Sequence, residues 1–397
     1  MCHPFRREDS IPQRRLRLGC LRKIVGTAIL CLTLTPNAVR GQVPESAPEE
    51  PPVDHEALLH TAEQSQPVLI EVPFSRAFLD SVTYVSDPRF FSPTRFVFAD
   101  PREYRLHVVD VESGAITRLG GHGSGPGEFQ SCSTVSVLLD GSIIVWDARL
   151  MRMTVFEPDG KLEGSVHLEM TVPAAVGIAQ IDRGQIAVLP LQTMLSGANY
   201  DRVLLLSRDL ALLESFEAPC SGRVAAIEDA YDMAMCARTI GRGEGGTILL
   251  GESFTYTIRR YDVEGSMLEE FVQLDPDFKP PDSEVRDRGE GNSPLVIMKA
   301  KNGLSHIEEI AGRGLVVGGW FHEAREGFGS VWAKRSFVDF RDLEGKLIRR
   351  VPLETDYELG DVLEKDGMLY LLVSRQGVNE VADLRILSCP VGSISWL

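Results

Sequence analysis

Short apolar runs separated by glycine-ended turns recur along this chain at a nearly fixed interval, and that periodicity constrains the fold more than any other feature. One class of turn precedes a run rich in Val, Ile and Leu. It occurs at Asp140-Gly141 before Ile143–Trp146, Arg183-Gly184 before Ile186–Leu189, and Gly245-Gly246 before Ile248–Leu250. Arg313-Gly314 before Leu315–Val317 and Asp366-Gly367 before Leu369–Val373 continue the series. A second class follows the next run, at Ser113-Gly114, Asp159-Gly160, Glu264-Gly265 and Glu344-Gly345. Glycine at such points supplies the positive φ of a tight hairpin. Gly114 to Gly160 spans 46 residues, Gly160 to Gly265 spans 105, and Gly265 to Gly345 spans 80. These are one unit, two units, and one unit with an insertion. Units of about 40–50 residues with four short strands each give the period of a β-propeller. Long segments with a 3.6-residue period are absent, so the pattern is all-β.

A finer register runs inside the units. Asp100 is followed five residues later by Arg105-Leu106, Asp147 by Arg152-Met153, and Glu252 by Thr257-Ile258. An acidic residue ends one strand, a short turn follows, and a new strand opens. The expected role of these positions is structural: the carboxylate caps the turn amides or pairs with the following arginine. Counting gives six units, at 76–120, 121–168, 169–218, 219–272, 305–352 and 353–388, with five or seven blades as alternatives. Val68–Val72 has no unit of its own. It is expected to be the outer strand of the last blade, beside Leu384–Leu387, closing an edge that would otherwise be open. Residues 273–304 break the period and read as an insertion on one face, either a binding element or an ordinary variable loop.

The N-terminal 41 residues form a separate object. Arg6, Arg7, Arg14, Arg15, Arg17, Arg22 and Lys23 precede an uncharged run from Ile24 to Val39, the layout of a cleaved secretory signal. That run is sixteen residues, short for a membrane span, so no integral membrane segment is expected in the mature chain. Residues 42–66 are a flexible linker, rich in Pro and Glu at its start, and 67–397 are a single propeller domain. Without residues 1–41 the chain keeps 33 basic and 55 acidic residues, a net charge of −22. Such a field repels nucleic acid and anionic membrane. The expected location is exported, periplasmic or extracellular, and the expected state is a monomer. Of the four remaining cysteines, Cys132, Cys220, Cys236 and Cys389, the pair nearest in sequence is Cys220 and Cys236, a candidate disulfide for an exported chain.

The best-formed unit contains Gly123-Ser124-Gly125-Pro126-Gly127-Glu128-Phe129, Asp140-Gly141, Val145-Trp146-Asp147, Arg152-Met153, Val155-Phe156 and Asp159-Gly160-Lys161. Over 120–165 this resembles an NHL repeat, in particular those of six-bladed β-propeller proteins exported by bacteria. The family pattern has a proline after the phenylalanine and a strict Asn-x-Arg-Ile; here Ser131-Cys132-Ser133 and Leu150-Met151-Arg152-Met153 stand instead. The resemblance implies the fold. Members of the group bind protein, RNA or glycan, and some relatives are lyases or lactonases. In this register Gly125 and Gly127 shape the crossing between blades, and Phe129 plugs the gap between sheets.

Little in the chain carries catalytic chemistry. G-x-S-x-G, H-E-x-x-H and phosphate-loop motifs are absent, and Gly123–Gly127 leads into a strand rather than a helix. The best local candidate for ligand contact is Trp320, Phe321, His322 and Glu323, expected in a loop just after the buried strand Leu315–Val317. Their side chains suit stacking on a sugar or a peptide. The resulting expectation is a non-enzymatic exported scaffold that binds a protein, peptide or glycan on one face, without a cofactor. The alternative is a metal-dependent hydrolase or lyase of the lactonase-like type. In that case Asp100, Asp147 and Glu252 form a ring at the channel mouth that takes Ca²⁺.

Overall fold

The computed structural model describes residues 69–396 except 75–78, 80–81, 83, 169–173, 183, 192–201, 220–237, 253–254, 273–277, 279–281, 287–294, 300–301, 325–331 and 376–381. All of them fall in the compact unit Glu56–Leu397. The leader, the whole of the linker, and the Cys220–Cys236 pair lie outside the described residues. Cys132 and Cys389 are buried free thiols.

Among the described residues six four-stranded antiparallel sheets follow one another along the chain; five meander from an inner to an outer strand, and the sixth takes its outer strand from the N-terminal end. The inner strands are Ser86–Ser92, Cys132–Val137, Ala174–Gln180, Arg238–Arg242, Asn302–Ile310 and Tyr357–Lys365. In the second blade the later strands are Ile143–Asp147, Arg152–Phe156 and Leu162–His167. Its two middle strands are buried at every position, whereas the outer strand is mostly exposed. That gradient explains the sequence pattern, since middle strands covered on both faces read as continuous apolar runs.

Hydrophobic cores lie between the blades rather than within them. One cluster joins Val97, Leu106 and Leu119 of the first blade to Val135, Ile143 and Phe156 of the second, with Phe129 at its centre. Corresponding clusters join second to third, third to fourth, fourth to fifth, and fifth to sixth blades. A further cluster packs Leu372, Leu384 and Ile386 of the last blade on Phe90, Phe96 and Val109 of the first, so the ring closes. The chain seals that closure with Ile70–Glu71, which pairs with the last blade: Ile70 opposes Ser388 and Glu71 opposes Leu387. The Val72 amide continues the ladder to the Ile386 carbonyl at 2.8 Å.

The turn glycines behave as their positions require. Gly114, Gly160, Gly265 and Gly345 all have positive φ, between 70° and 89°. One hairpin differs from the expected pattern. In the fifth blade the left-handed residue is Gly312, and Gly314 instead opens the next strand opposite Ile310. Residues 273–304 hold an antiparallel hairpin, Asp282–Arg286 with Leu295–Lys299, and the inner strand of the fifth blade starts at Asn302, still inside that span.

Candidate binding site at the channel mouth

The inner strands line the axis of the ring. Where they end, residues from all six enclose a cavity of about 520 Å³. Its polar members include Arg89, Ser92, Arg95, Ser136, Gln180, Arg242, His306, Glu308 and Asp361, alongside apolar residues such as Phe91, Leu139, Ile178, Ile240 and Leu363. A smaller cavity of about 260 Å³ lies around the starts of the inner strands, lined by Asp87, Thr134, Ser305, Trp320 and Glu358.

Local backbone irregularity helps to aim these side chains. Five of the six inner strands slip register against their neighbours, between Ser86 and Arg89, Cys132 and Thr134, Ala175 and Gly177, Leu304 and His306, and Leu359 and Asp361. A bulge bends the strand and redirects the next side chain, a device found beside functional sites. Arg89, His306 and Asp361 each follow such a slip. Near the axis the strands also come close enough to require glycine: a Cβ on Gly241 lies 1.9 Å from the Ile307 carbonyl oxygen.

Arg89 spans the channel and ties four blades together. It donates from Nη1 to the Gly360 carbonyl at 2.9 Å and to His306 Nδ1 at 3.2 Å, and from Nε to the Val135 carbonyl at 3.3 Å. Nη2 pairs with Asp87 Oδ1 at 2.5 Å, and Asp361 Oδ1 lies 3.6 Å from Nη1. Asp87 and Asp361 are anchored in turn by the amides of Val135 at 2.8 Å and Phe90 at 2.7 Å. Because Nδ1 accepts from a guanidinium, the network assigns the proton of a neutral His306 to Nε2. That atom has no hydrogen-bond partner among the described residues, and Asp361 Oδ1 lies 3.9 Å away. Glu308 pairs with Arg242 at 3.2 Å.

The electrostatics follow from the low-dielectric setting. Burial, with the Arg89 charge second, holds His306 well below its ordinary value of 6.5, so it is neutral. Burial pushes Glu308 up to about 7, against the pull of Arg242. Asp87 and Asp361 are also raised by burial, with Arg89 opposing. Burial pulls Arg89 down, but Asp87 and Asp361 more than offset it. The cavity therefore carries neutral and charged donors and acceptors side by side. This arrangement can hydrogen-bond a polar group while the apolar residues cover the body that bears it.

The residues singled out from sequence lie elsewhere. The strand Gly314–Ala324 runs straight through Trp320, Phe321, His322 and Glu323, so these residues are not in a loop. Strand alternation then separates them. Phe321 is buried among Phe278, Phe337 and Arg350. Trp320 packs against His322 with ring centroids 4.6 Å apart and planes tilted by 35°, and lies under the Lys334 ammonium at 4.9 Å. Trp320 borders the smaller cavity, and the Glu323 side chain lies outside what is described. Trp, Phe and His thus do not form one platform.

Asp100, Asp147 and Glu252 end the second strands of their blades, and none lines either cavity. Asp100 accepts the amides of Arg102, Glu103 and Tyr84 at 3.0–3.1 Å. Asp147 accepts those of Arg149, Leu150 and Gln130 at 2.6–3.0 Å. Glu252 pairs with the Arg259 guanidinium. Arg105 lies opposite Asp100 and is exposed at the strand start. Arg152 turns away from Asp147 to donate to the carbonyls of Ser124 (3.0 Å) and Glu128. The Gly123–Phe129 loop is stitched by Gly123 N to Phe129 O at 3.0 Å and by Gly125 N to Glu128 Oε2 at 2.8 Å. Gly127 has φ 75° and Phe129 is fully buried.

Fold and cavity define the class, a six-bladed β-propeller with a polar, partly buried channel mouth. Among solved structures, the chain is similar to a member of the DUF4221 family from Bacteroides vulgatus. The identity is 11% and the TM-score 0.53, over 81% of this chain and 97% of that one. It is also similar to virginiamycin B lyase from Staphylococcus aureus, at 14% identity and TM-score 0.45 over 80% and 87%. A luciferin-regenerating enzyme matches at 11% identity and TM-score 0.47 over 78% and 92%. At these identities the likeness concerns the fold alone. No family model matches the chain, and no curated protein does. No helix among the described residues is long and apolar enough to cross a membrane.

Proposed function

We propose that this protein is an exported binding propeller, related in its repeat to NHL proteins, that receives the polar end of a peptide or glycan chain in the channel mouth. One observation carries the reading: all six inner strands contribute to a single cavity that sets Arg242, Glu308, His306 and Gln180 among apolar residues. Hydroxyl and amide groups both donate and accept, so a cavity that mixes carboxylate, guanidinium, imidazole and amide suits them better than a surface of one charge. Export rests on the basic leader and its apolar run, and the strong negative charge disfavours nucleic acid.

The test is binding of the purified protein to arrayed glycans and to an immobilised peptide library, repeated with Glu308→Gln and Arg242→Ala. The expected result is a defined ligand whose affinity falls about tenfold or more in each variant, as for a hydrogen bond to a charged group. Binding that both variants retain undiminished would place the ligand elsewhere. A second reading, a hydrolase or lyase, is favoured by Glu308 titrating at about 7 in the same cavity as His306. Turnover of lactones or esters that Glu308→Gln abolishes supports that reading over the first.

A further inference from the structure

Outside the channel, the first blade brings two acids and a histidine together. We propose that Asp100, Glu103 and His107 hold a divalent transition-metal ion of the zinc class. Asp100 ends the second strand of that blade, Arg95–Asp100, and His107 lies in the third strand, Arg105–Asp110. Glu103 sits in the turn between them. One carboxylate oxygen from each acid and one imidazole nitrogen lie within 4.8 Å of one another. Glu103 Oε2 is 3.8 Å from His107 Nε2. Ligand atoms around tetrahedral zinc are about 3.4 Å apart, given bonds of about 2.0–2.2 Å, so the three donors must draw closer together to share one ion. Three protein ligands of this kind leave a fourth position for water or another group.

His107 supplies the independent observation. It is fully buried, and neither ring nitrogen has a hydrogen-bond partner among the described residues. Its ring lies flat on Phe98, with centroids 5.0 Å apart and planes 5° from parallel. Buried imidazoles are normally hydrogen-bonded, and an orphaned one calls for an unseen partner.

The repeat itself provides the comparison. Seven residues separate Asp100 from His107, Asp147 from Thr154, and Glu252 from Arg259. In the fourth blade the guanidinium at that position neutralises the buried carboxylate directly. In the second, Asp147 is followed three residues later by Leu150 and seven later by Thr154, so no second carboxylate and no imidazole join it. The first blade replaces the built-in cation with a neutral imidazole and adds a second acid. Arg118, opposite His107 on the exposed outer strand, and Arg105 oppose a cation here. Both are solvent-screened, whereas the two carboxylates face the imidazole at short range.

The experiment uses the full chain after dialysis against EDTA, titrated with Zn²⁺ by calorimetry and with Co²⁺ by visible absorption. The expected result is one equivalent of metal, a four-coordinate Co²⁺ spectrum and a rise in melting temperature. Glu103→Gln and His107→Gln should each weaken binding at least about tenfold, since losing a ligand costs no less than losing the group that orients one. Glu103 is partly exposed, so its variant reports on binding even where His107→Gln fails to fold. No metal bound, or an equivalent bound as tightly by Glu103→Gln as by the parent, overturns the proposal.

Discussion

Glu308 carries the clearest consequence of burial at the level of single residues. Its folded pKa of about 7 stands above its ordinary 4.5, so between those values the folded state holds a proton that the unfolded state has lost. Its contribution to stability is therefore complete below pH 4.5 and declines as pH rises through 7, by at most about 3 kcal/mol at 1.36 kcal/mol per unit. His306 acts in the opposite sense, its depressed pKa costing stability as pH falls below 6.5. The difference between parent and Glu308→Gln isolates the glutamate. In urea unfolding, the variant should gain on the parent between pH 5 and pH 8; an equal difference at both pH values contradicts the assignment. Asp339 makes the converse case. It is fully buried and accepts from Arg350 Nε at 2.7 Å, from Arg341 Nη2 at 3.1 Å, and from the Tyr256 hydroxyl. Asp339→Ala removes the carboxylate that neutralises the buried Arg341 and should cost about 3–5 kcal/mol in the same assay. None of these charged residues stood out in the sequence, where a single Arg or Glu within a strand looks like ordinary surface. A usable signal was present in the polar residue a few positions before each hairpin glycine, as Arg242 precedes Gly245 and Asp361 precedes Gly367.

Among elements, the loop Gly123–Phe129 shows how a short segment sets the relation between two sheets. The Phe129 ring fills the gap between first and second blades and presses on Gly120, where a Cβ comes within 2.3 Å of it. Phe129→Ala should destabilise by about 3–5 kcal/mol, as for other large aromatics removed from a core, and thermal unfolding measures it. A loss below about 1 kcal/mol means the gap collapses and the ring is not a plug. This element was legible because its signal is local: closely spaced glycines, one of them, Gly127, with positive φ, and one aromatic at fixed spacing. The fifth blade was less legible. Its strand runs to Ala324, beyond the apolar run Leu315–Val317, because pairing with Trp332–Arg341 continues the ladder past the point where hydrophobicity stops. Backbone hydrogen bonding to a neighbouring strand is invisible to a reading based on side-chain polarity.

For the whole molecule, ring closure is the decisive interaction. The short strand Ile70–Glu71 covers the outer edge of the last blade, and Glu71 adds a charge pair with Arg385 at 3.8 Å. Deleting residues 1–66 should leave the melting temperature unchanged, whereas deleting 1–74 should lower it and promote association through the exposed edge. Calorimetry and light scattering on the two truncations measure this, and equal behaviour contradicts a role for the strand in closure.

The repeat period and the returning N-terminal strand were determined by the sequence alone, whereas the fifth blade begins at Asn302, earlier than the repeat places it. They rest on turn chemistry and side-chain alternation, which act over a few residues. The channel mouth was decided only by the tertiary structure. Arg89 meets His306 across 217 residues and Gly360 across 271, and the slips in the inner strands choose which side chains face the axis. Burial at that meeting point, produced by six blades converging, gives His306 and Glu308 their shifted ionisation, and no stretch of sequence contains it.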